Sequence, residues 1–151
     1  LPADGKIVSL ITFAPEAAQS DLQVLTATND GYGKRTPISD YSRKNKGGQG
    51  NIAINTNTEK RTAYLVAATL VGETDDLMLI TSGGKLIRTK VEEIRETGRA
   101  AAGVRLIELD RKKGEQLVSL ERVAEEPEDE SVSGEENTGE TNVTTEDNTP
   151  Q

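Results

Sequence analysis

The sequence predicts an all-β fold, a partial β-propeller of about two blades plus one extra strand. The main observation is a repeat of 53 residues, in which segment 25–54 aligns without gaps on segment 78–107. A short apolar segment also recurs, at residues 7–10, 65–68 and 117–120. Repeats of about 50 residues made of short strands are typical of propeller blades, each of which buries its face against the next. The repeat therefore favours this architecture.

Short strands are predicted throughout the chain, because segments rich in β-branched residues or leucine alternate with turn residues. Hairpin turns are expected at residues 29–31 and 82–84, which tolerate positive φ. Residues 37–41 and 91–94 are each expected to form one helical turn. With four strands to a blade, the predicted set is too small to close a propeller. The predicted strands are residues 7–13, 21–28, 32–36, 51–55, 63–70, 77–81, 85–90, 104–109 and 117–123.

The charge divides the chain near residue 124. Residues 1–123 contain 18 basic and 16 acidic residues, a net charge of +2, whereas residues 124–151 contain 10 acidic residues and no basic one. The second segment also lacks Leu, Ile, Phe and Tyr, so it cannot bury enough apolar surface to offset the entropy of ordering. We therefore predict a blade domain over residues 1–123 and a disordered acidic tail over residues 124–151.

Composition excludes several kinds of chemistry. The chain has no cysteine and no histidine, which excludes disulfides, thiol nucleophiles, imidazole bases and ordinary zinc sites, and suits a reducing cytoplasm. Its longest apolar run, residues 63–71, is too short to span a bilayer. The acidic pairs Asp75-Asp76 and Glu92-Glu93 lie beside turns, and we interpret them as solvated turn acids. We expect no catalytic residue, metal or cofactor here, and we expect the chain to be part of a longer polypeptide.

Each hairpin is followed by a loop that combines positive charge with small residues. We call residues 42–50 the first basic loop and residues 95–103 the second basic loop. Glycine lets a backbone approach a phosphate closely, and neighbouring cations neutralise the phosphate without reading base sequence. An isolated loop of this kind is more often a solvated surface loop, but recurrence at the same phase favours a binding function. The residues predicted to bind phosphates are Lys34, Arg35, Arg43, Lys44, Lys46, Gly47, Gly48, Lys85, Arg88, Lys90, Arg95 and Arg99.

Arg35 and Arg88 are the strongest single candidates for phosphate contact, because the repeat preserves them at the same phase. The alternative is structural, since an arginine at a strand end can pack its stem or pair with an acid, here Asp40 or Glu93. The sequence favours neither interpretation. The chain has one Phe, three Tyr and no Trp, so stacking on single-stranded bases is not expected.

Three runs closely resemble the C-terminal domain of the DNA gyrase A subunit: residues 25–36 (LTATNDGYGKRT), 44–50 (KNKGGQG) and 77–107. The hallmark loop of that family is Gln-Arg-Arg-Gly-Gly-Lys-Gly. Residues 44–50 keep its three glycines but replace its Gln, both Arg and its Lys, as in a degenerate copy from a later blade. The resemblance covers roughly residues 5–123 and continues into an acidic tail.

The resemblance implies a six-bladed β-pinwheel, a propeller relative in which neighbouring blades exchange strands, with this chain as its last part. In that family the domain wraps double-stranded DNA and supports ATP-dependent negative supercoiling by a type II topoisomerase. The cleavage tyrosine and the ATPase lie elsewhere, so Tyr32, Tyr41 and Tyr64 receive no catalytic role. The implied partners are double-stranded DNA, the gyrase B subunit, and the rest of the gyrase A subunit.

Two other functions are compatible with a propeller. A protein interaction module would use the basic loops to bind an acidic partner. A glycoside hydrolase would need two acids facing one pocket, and no acid pair recurs in the loops of the repeat. The tail suggests one more hypothesis: tethered beside a +2 domain, its charges reach a millimolar local concentration and compete with DNA for the basic loops.

Overall fold

β-Strands dominate the computed structural model, which describes residues 5–16, 20–58 and 61–123. They form a four-stranded sheet in the order β5-β1-β2-β8, a three-stranded sheet in the order β7-β6-β9, and the two-stranded hairpin β3-β4. The predicted all-β class is confirmed. The strands are β1 (Gln23–Thr28), β2 (Tyr32–Pro37), β3 (Asn57–Thr58), β4 (Arg61–Thr62), β5 (Leu65–Val71), β6 (Asp76–Thr81), β7 (Leu86–Lys90), β8 (Val104–Arg105) and β9 (Leu117–Val123).

Both larger sheets are built around the same hairpin. β1 and β2 pair antiparallel around a turn in which the amide of Gly31 donates to the carbonyl of Thr28 at 3.0 Å. β6 and β7 pair around a turn in which Gly84 donates to Thr81, also at 3.0 Å. Gly31 and Gly84 both have a φ of +81°, a conformation that residues with a Cβ rarely adopt. Both predicted hairpin turns are therefore confirmed.

The copies also agree on either side of the hairpin. β5 pairs antiparallel with β1 and β9 with β6, and the register of these pairs shifts after Ala27 and after Ile80, which are equivalent positions. A short 3-10 turn follows β2 at Ile38–Asp40, and another follows β7 at Val91–Glu93. These are the helical turns predicted for each copy. The repeat in the sequence is thus a repeat of backbone geometry.

The two sheets share one hydrophobic core. Alternate residues of β6 are buried, as expected for a strand that turns one face toward a core. Burial of a leucine or valine side chain contributes about 1.5–3 kcal/mol, so a cluster drawn from both copies holds them together. The buried cluster consists of Leu25, Ala27, Val71, Leu77, Leu79, Val91, Ile94, Ile107, Leu117 and Leu120.

β8 joins the two copies, because it belongs to the second copy but pairs with β2 of the first. Its register places Arg105 opposite Tyr32 and Val104 opposite Gly33. The backbones approach closely beside this pair: a Cβ on Gly103, whose φ is +84°, would lie 2.5 Å from the carbonyl oxygen of Gly33. Glycine is therefore required at position 103. The exchanged strand agrees with the pinwheel architecture that the resemblance implies.

Two predicted strands are wrong, because residues 7–13 and 51–55 are irregular. In the repeat, segment 51–55 corresponds to β8, and segment 7–13 corresponds to β5 and β9. Both segments would need a hairpin one repeat before β1 and β2, and the described residues contain none. Several of their apolar side chains are consequently exposed, as shown by Ile7 at 78%, Leu10 at 87% and Ile52 at 65% of full accessibility, whereas Ile54 is buried.

The hairpin β3-β4, which connects the two copies, was not predicted. The predicted acidic tail, residues 124–151, lies outside the described residues. Its disorder and the domain boundary at residue 123 therefore stay predictions. Within the described part of the chain, no helix has the length and apolar character needed to cross a membrane.

Candidate nucleic-acid interface

The two basic loops contain the same backbone turn. In the first basic loop the amide of Gly48 donates to the carbonyl of Asn45 at 3.2 Å. In the second basic loop the amide of Ala101 donates to the carbonyl of Gly98 at 3.1 Å. The donors and the acceptors occupy equivalent positions of the repeat, so the chain presents the same turn twice, once in each copy.

The first basic loop is exposed along nearly its whole length. Its cations Arg43, Lys44 and Lys46 are exposed, and none of them pairs with an acidic side chain among residues 5–16, 20–58 and 61–123. The adjacent Gly-Gly pair is exposed as well. Side-chain bonds between Ser42 and Asn51 close the base of the loop at 3.0 and 3.3 Å. The loop therefore offers three uncompensated charges beside an accessible backbone.

The second basic loop is held against the first copy. Arg95 is exposed, whereas Arg99 is half-buried and donates from Nη1 to the carbonyl of Ile52 at 3.0 Å. The carbonyl of Ala101 accepts from the amide of Asn55 at 3.1 Å. Arg95 is thus accessible to an anion in solvent, whereas Arg99 makes a structural hydrogen bond to the first copy.

Two predicted cations on β7 are exposed but engaged in ion pairs. Arg88 pairs with Asp76 at 2.5 Å, and Lys90 pairs with Glu92 at 3.3 Å. Both side chains of the Lys90–Glu92 pair are exposed, and such a pair contributes about 0–1 kcal/mol because water screens it, so a phosphate could displace Glu92 at small cost. Asp76 is only 19% exposed and holds Arg88 through both Nε and Nη2.

Lys85 is bound more firmly than the other cations of the second copy. Its amine lies 2.8 Å from the carboxylate of Glu115. That carboxylate also accepts from the amide of Asp110 and the hydroxyl of Thr81, both at 2.7 Å. The Asp110 amide, and after it Lys85 and Thr81, lower the pKa of Glu115 to about 2, and Glu115 in turn raises the pKa of Lys85. The charge of Lys85 is largely compensated within the protein.

Lys34 lies inside the protein, with none of its surface exposed. Its Nζ donates to the carbonyl of Gly98 at 2.5 Å and to the carbonyl of Arg99. Burial, and after it the neighbouring Arg99 guanidinium, lowers the pKa of Lys34 to about 8. Lys34 therefore binds the second basic loop from beneath and is not available to a phosphate.

Arg35 is also buried, with 9% of its surface exposed. Its Nε donates to the carbonyl of Ile94 at 2.5 Å, and Nη1 donates to Gln23 Oε1 at 3.2 Å. A longer bond of 3.5 Å joins Nη2 to the carbonyl of Glu92. Glu73, whose side chain is mostly exposed, lies 3.7 Å away. The guanidinium is thus directed at backbone carbonyls inside the molecule.

The burial of Lys34 and Arg35 argues against the prediction that they contact phosphates. For Arg35 the structural alternative is the one the geometry favours, although its partners are two backbone carbonyls and the side chains of Gln23 and Glu73, and not Asp40 or Glu93. Local sequence carries no signal for the carbonyl partners of either residue, because they lie 57 to 65 positions away in the chain. The other predicted residues remain candidates for DNA contact.

Several cations outside the predicted set lie on the surface of the second copy. Arg105 of β8 lies over the Tyr32 ring, with 5.9 Å from guanidinium carbon to ring centroid, and the Tyr32 hydroxyl raises the pKa of Arg105. Three further exposed cations form the 3-10 turn after Asp110. These cations lie outside the aligned segments 25–54 and 78–107, which is why the alignment of the repeat does not single them out. They are Arg111, Lys112 and Lys113.

The described residues contain no group of three or more His, Cys, Asp or Glu side chains placed to hold a metal ion. What they do contain is exposed positive charge on two equivalent loops. Such a surface can neutralise an extended polyanion, since cations bind phosphates without regard to base sequence.

The sequence matches a family model described as the DNA gyrase C-terminal domain, a β-propeller, over residues 23–71 and 75–124. The DNA gyrase A subunit of Neisseria gonorrhoeae is 81% identical over 126 residues, which cover 83% of this chain and 13% of that protein. The corresponding protein of Haemophilus influenzae is 46% identical over 127 residues, covering 84% of this chain and 13% of that protein. The chain thus spans about an eighth of the length of these relatives.

Solved structures show the same fold. The C-terminal domain of DNA topoisomerase IV superposes with a TM-score of 0.69 at 22% identity, covering 83% of this chain and 36% of that one. The DNA gyrase A C-terminal domain superposes with a TM-score of 0.61 at 28% identity, covering 68% of this chain and 33% of that one. The repeat, the exchanged strand and these matches agree. The chain belongs to the DNA gyrase C-terminal domain family.

Proposed function

We propose that this chain is a DNA-binding part of a DNA gyrase A subunit, where it binds the backbone of double-stranded DNA without sequence specificity. The observation that carries the proposal is the pair of equivalent basic loops, which repeat one turn and expose cations in both copies. A bent duplex needs phosphate contacts distributed along its length, and a loop repeated in successive copies is suited to supply them.

The proposal extends to the holoenzyme through the named relatives, which are DNA gyrase A subunits. In this view the chain helps to wrap DNA for ATP-dependent negative supercoiling, while cleavage and ATP hydrolysis take place in other parts of the enzyme. Its partners are then the B subunit together with the rest of the A subunit, and its location is the cytoplasm, where the chromosome lies. No cofactor is required for the contact itself, because lysine and arginine bind phosphates directly.

The test is a titration of the 151-residue chain with a random-sequence duplex at several salt concentrations. If roughly three to five phosphates are neutralised, the logarithm of the binding constant falls against the logarithm of the salt concentration with a slope of about −3 to −4.5. Lys44→Ala and Lys46→Ala should each make that slope about one unit shallower for every sequence tested. Lys6→Ala, which removes an exposed lysine outside both loops, is the matched control. Absence of binding at low salt, or equal behaviour of all three variants, would refute the proposal.

We further propose that the acidic tail competes with DNA for the basic loops. Residues 125–151 carry ten acidic side chains next to a body of net charge +2. Removing these residues should tighten binding of the duplex, most strongly at low salt, where the Debye length is longest. An unchanged affinity of the truncated chain at low salt would rule out competition and leave the phosphate contacts of the loops unaffected.

A further inference from the structure

The end of β2 binds the beginning of the second basic loop. The amide of Thr97 donates to the carbonyl of Arg35 at 3.0 Å, and the hydroxyl of Thr36 donates to the carbonyl of Thr97 at 2.9 Å. A parallel bridge joins Arg35 and Glu96. With the bonds from the Lys34 amine and the Arg35 guanidinium, three consecutive residues of the first copy bind the backbone from Glu92 to Arg99. We call residues 34–36 the Lys-Arg-Thr run.

We propose that Lys34, Arg35 and Thr36 are positioning residues, which hold the second basic loop in the conformation that presents its cations to DNA. The inference rests on the proposed function, since it assigns these residues an indirect part in the same contact. They touch the loop and not the phosphate. The repeat copy that carries the run thus builds the binding surface of the copy that follows it.

The direction of the carbonyl groups supports this role. The carbonyls of Gly98 and Arg99 are turned inward onto the buried amine of Lys34, so their negative ends are satisfied within the protein. A carbonyl that pointed outward would oppose a phosphate. Hydrogen bonds to a charged donor are about twice as strong as neutral ones, so Lys34 fixes the turn between Gly98 and Ala101 firmly.

The second copy shows what the run does when no loop lies against it. Its equivalents of Lys34, Arg35 and Thr36 are Ile87, Arg88 and Thr89. Within the described residues β7 pairs only with β6, and these side chains make contacts inside their own copy: Arg88 with Asp76, and the Thr89 hydroxyl with Glu93 Oε2 at 3.1 Å. The contacts of the Lys-Arg-Thr run are therefore a property of the junction between copies.

A double-mutant cycle separates positioning from direct contact. Lys34→Met should make the salt slope of duplex binding shallower by about one to two, as the combined loss of Arg95 and Arg99 would. In an Arg95→Ala/Arg99→Ala background, Lys34→Met should have no further effect. In a Lys44→Ala/Lys46→Ala background, which alters only the first basic loop, its full effect should remain. Additive effects in both backgrounds would mean that Lys34 itself reaches DNA and would overturn the proposal.

Thr36 supplies a milder variant that tests the same proposal if Lys34→Met does not fold. Thr36→Val removes one bond to the loop, Thr36→Ser retains the hydroxyl and should restore binding, and Thr89→Val is the matched control in the second copy. Loss of binding in Thr36→Ser equal to that in Thr36→Val would contradict positioning by the hydroxyl.

Amide hydrogen exchange without DNA gives a readout that does not depend on the proposed function. Lys34→Met and Thr36→Val should accelerate exchange of the Ala101 amide, while amides between β1 and β5 keep their protection. Unchanged exchange at Ala101 in both variants would overturn the positioning role. The two proposals can fail separately. If the variants accelerate exchange at Ala101 but the parent chain binds no duplex, the positioning of the loop stands and the proposed DNA binding is refuted.

Discussion

The two repeat copies have the same turns but different neighbours. The side chain of Arg35 is 11% exposed, whereas that of Arg88, its equivalent in the second copy, is 64% exposed. The difference comes from β8 and the second basic loop, which cover β2, whereas in the described residues nothing covers β7. An identical residue at an identical phase therefore has a structural role in one copy and a surface position in the other.

The two basic loops also differ between the copies, but here the loop of the second copy is the one held by more contacts. The second basic loop is anchored by the Lys-Arg-Thr run and by segment 52–55, while the first is closed at its base by bonds between Ser42 and Asn51. The more exposed loop carries the more accessible cations. The first copy therefore supports the loop of the second copy, and the second copy does not hold its own basic loop in place.

The substitution with the largest expected effect disrupts the junction between the copies. Gly103→Ala should lower the free energy of unfolding by about 2–5 kcal/mol, because a left-handed residue with a Cβ costs about 1–2 kcal/mol and the clash with Gly33 adds about 1–3 kcal/mol. Gly50→Ala is the matched control at the equivalent position, with a φ of +77° but open space around the new Cβ, and should cost only about 1–2 kcal/mol. Urea unfolding measures both variants, and equal losses would contradict a close junction.

An intermediate effect is expected from the equivalent arginines. Arg35→Met should lower the free energy of unfolding by about 2–3 kcal/mol, because it leaves the buried carbonyl of Ile94 without its donor. Arg88→Met removes an arginine that is 64% exposed, together with its ion pair to Asp76, and should change the free energy of unfolding by less than about 1 kcal/mol. Thermal or urea unfolding of the two variants decides this comparison. A larger loss for Arg88→Met would show that the copies do not differ as the structure describes.

The smallest effect concerns pH. The pKa of Lys34 is lowered from 10.5 to about 8, so between these values the unfolded chain binds more protons than the folded chain. The free energy of unfolding contributed by this group should therefore rise as the pH increases from about 8 to 10.5. The charged groups that act on the pKa of the amine, Arg99 and Asp40, are common to the parent and to Lys34→Met. So is Tyr41, whose own pKa is raised by burial. The parent should gain stability relative to Lys34→Met across this window, and a constant difference would contradict the lowered pKa.

Local sequence was sufficient to predict the features that depend on neighbouring residues. Asn-Asp-Gly and Ser-Gly-Gly form the predicted tight turns, with Gly31 and Gly84 at positive φ, and the flanking β-branched segments pair as predicted. The 53-residue period identified the blade as the unit of structure. These features follow from local conformational preference and short-range pairing.

Contacts between distant segments, in contrast, set which segments become strands and which cations reach solvent. Residues 7–13 and 51–55 have strand composition but no strand partner in the described chain, whereas β8 forms because β2 lies beside it. The sequence suggests that Lys34 and Arg35 are surface cations. Both are buried, and both donate hydrogen bonds to backbone carbonyls of the next copy. The physical reason is that a strand edge or a buried charge is satisfied by groups distant in the chain, and local sequence does not encode where those groups lie.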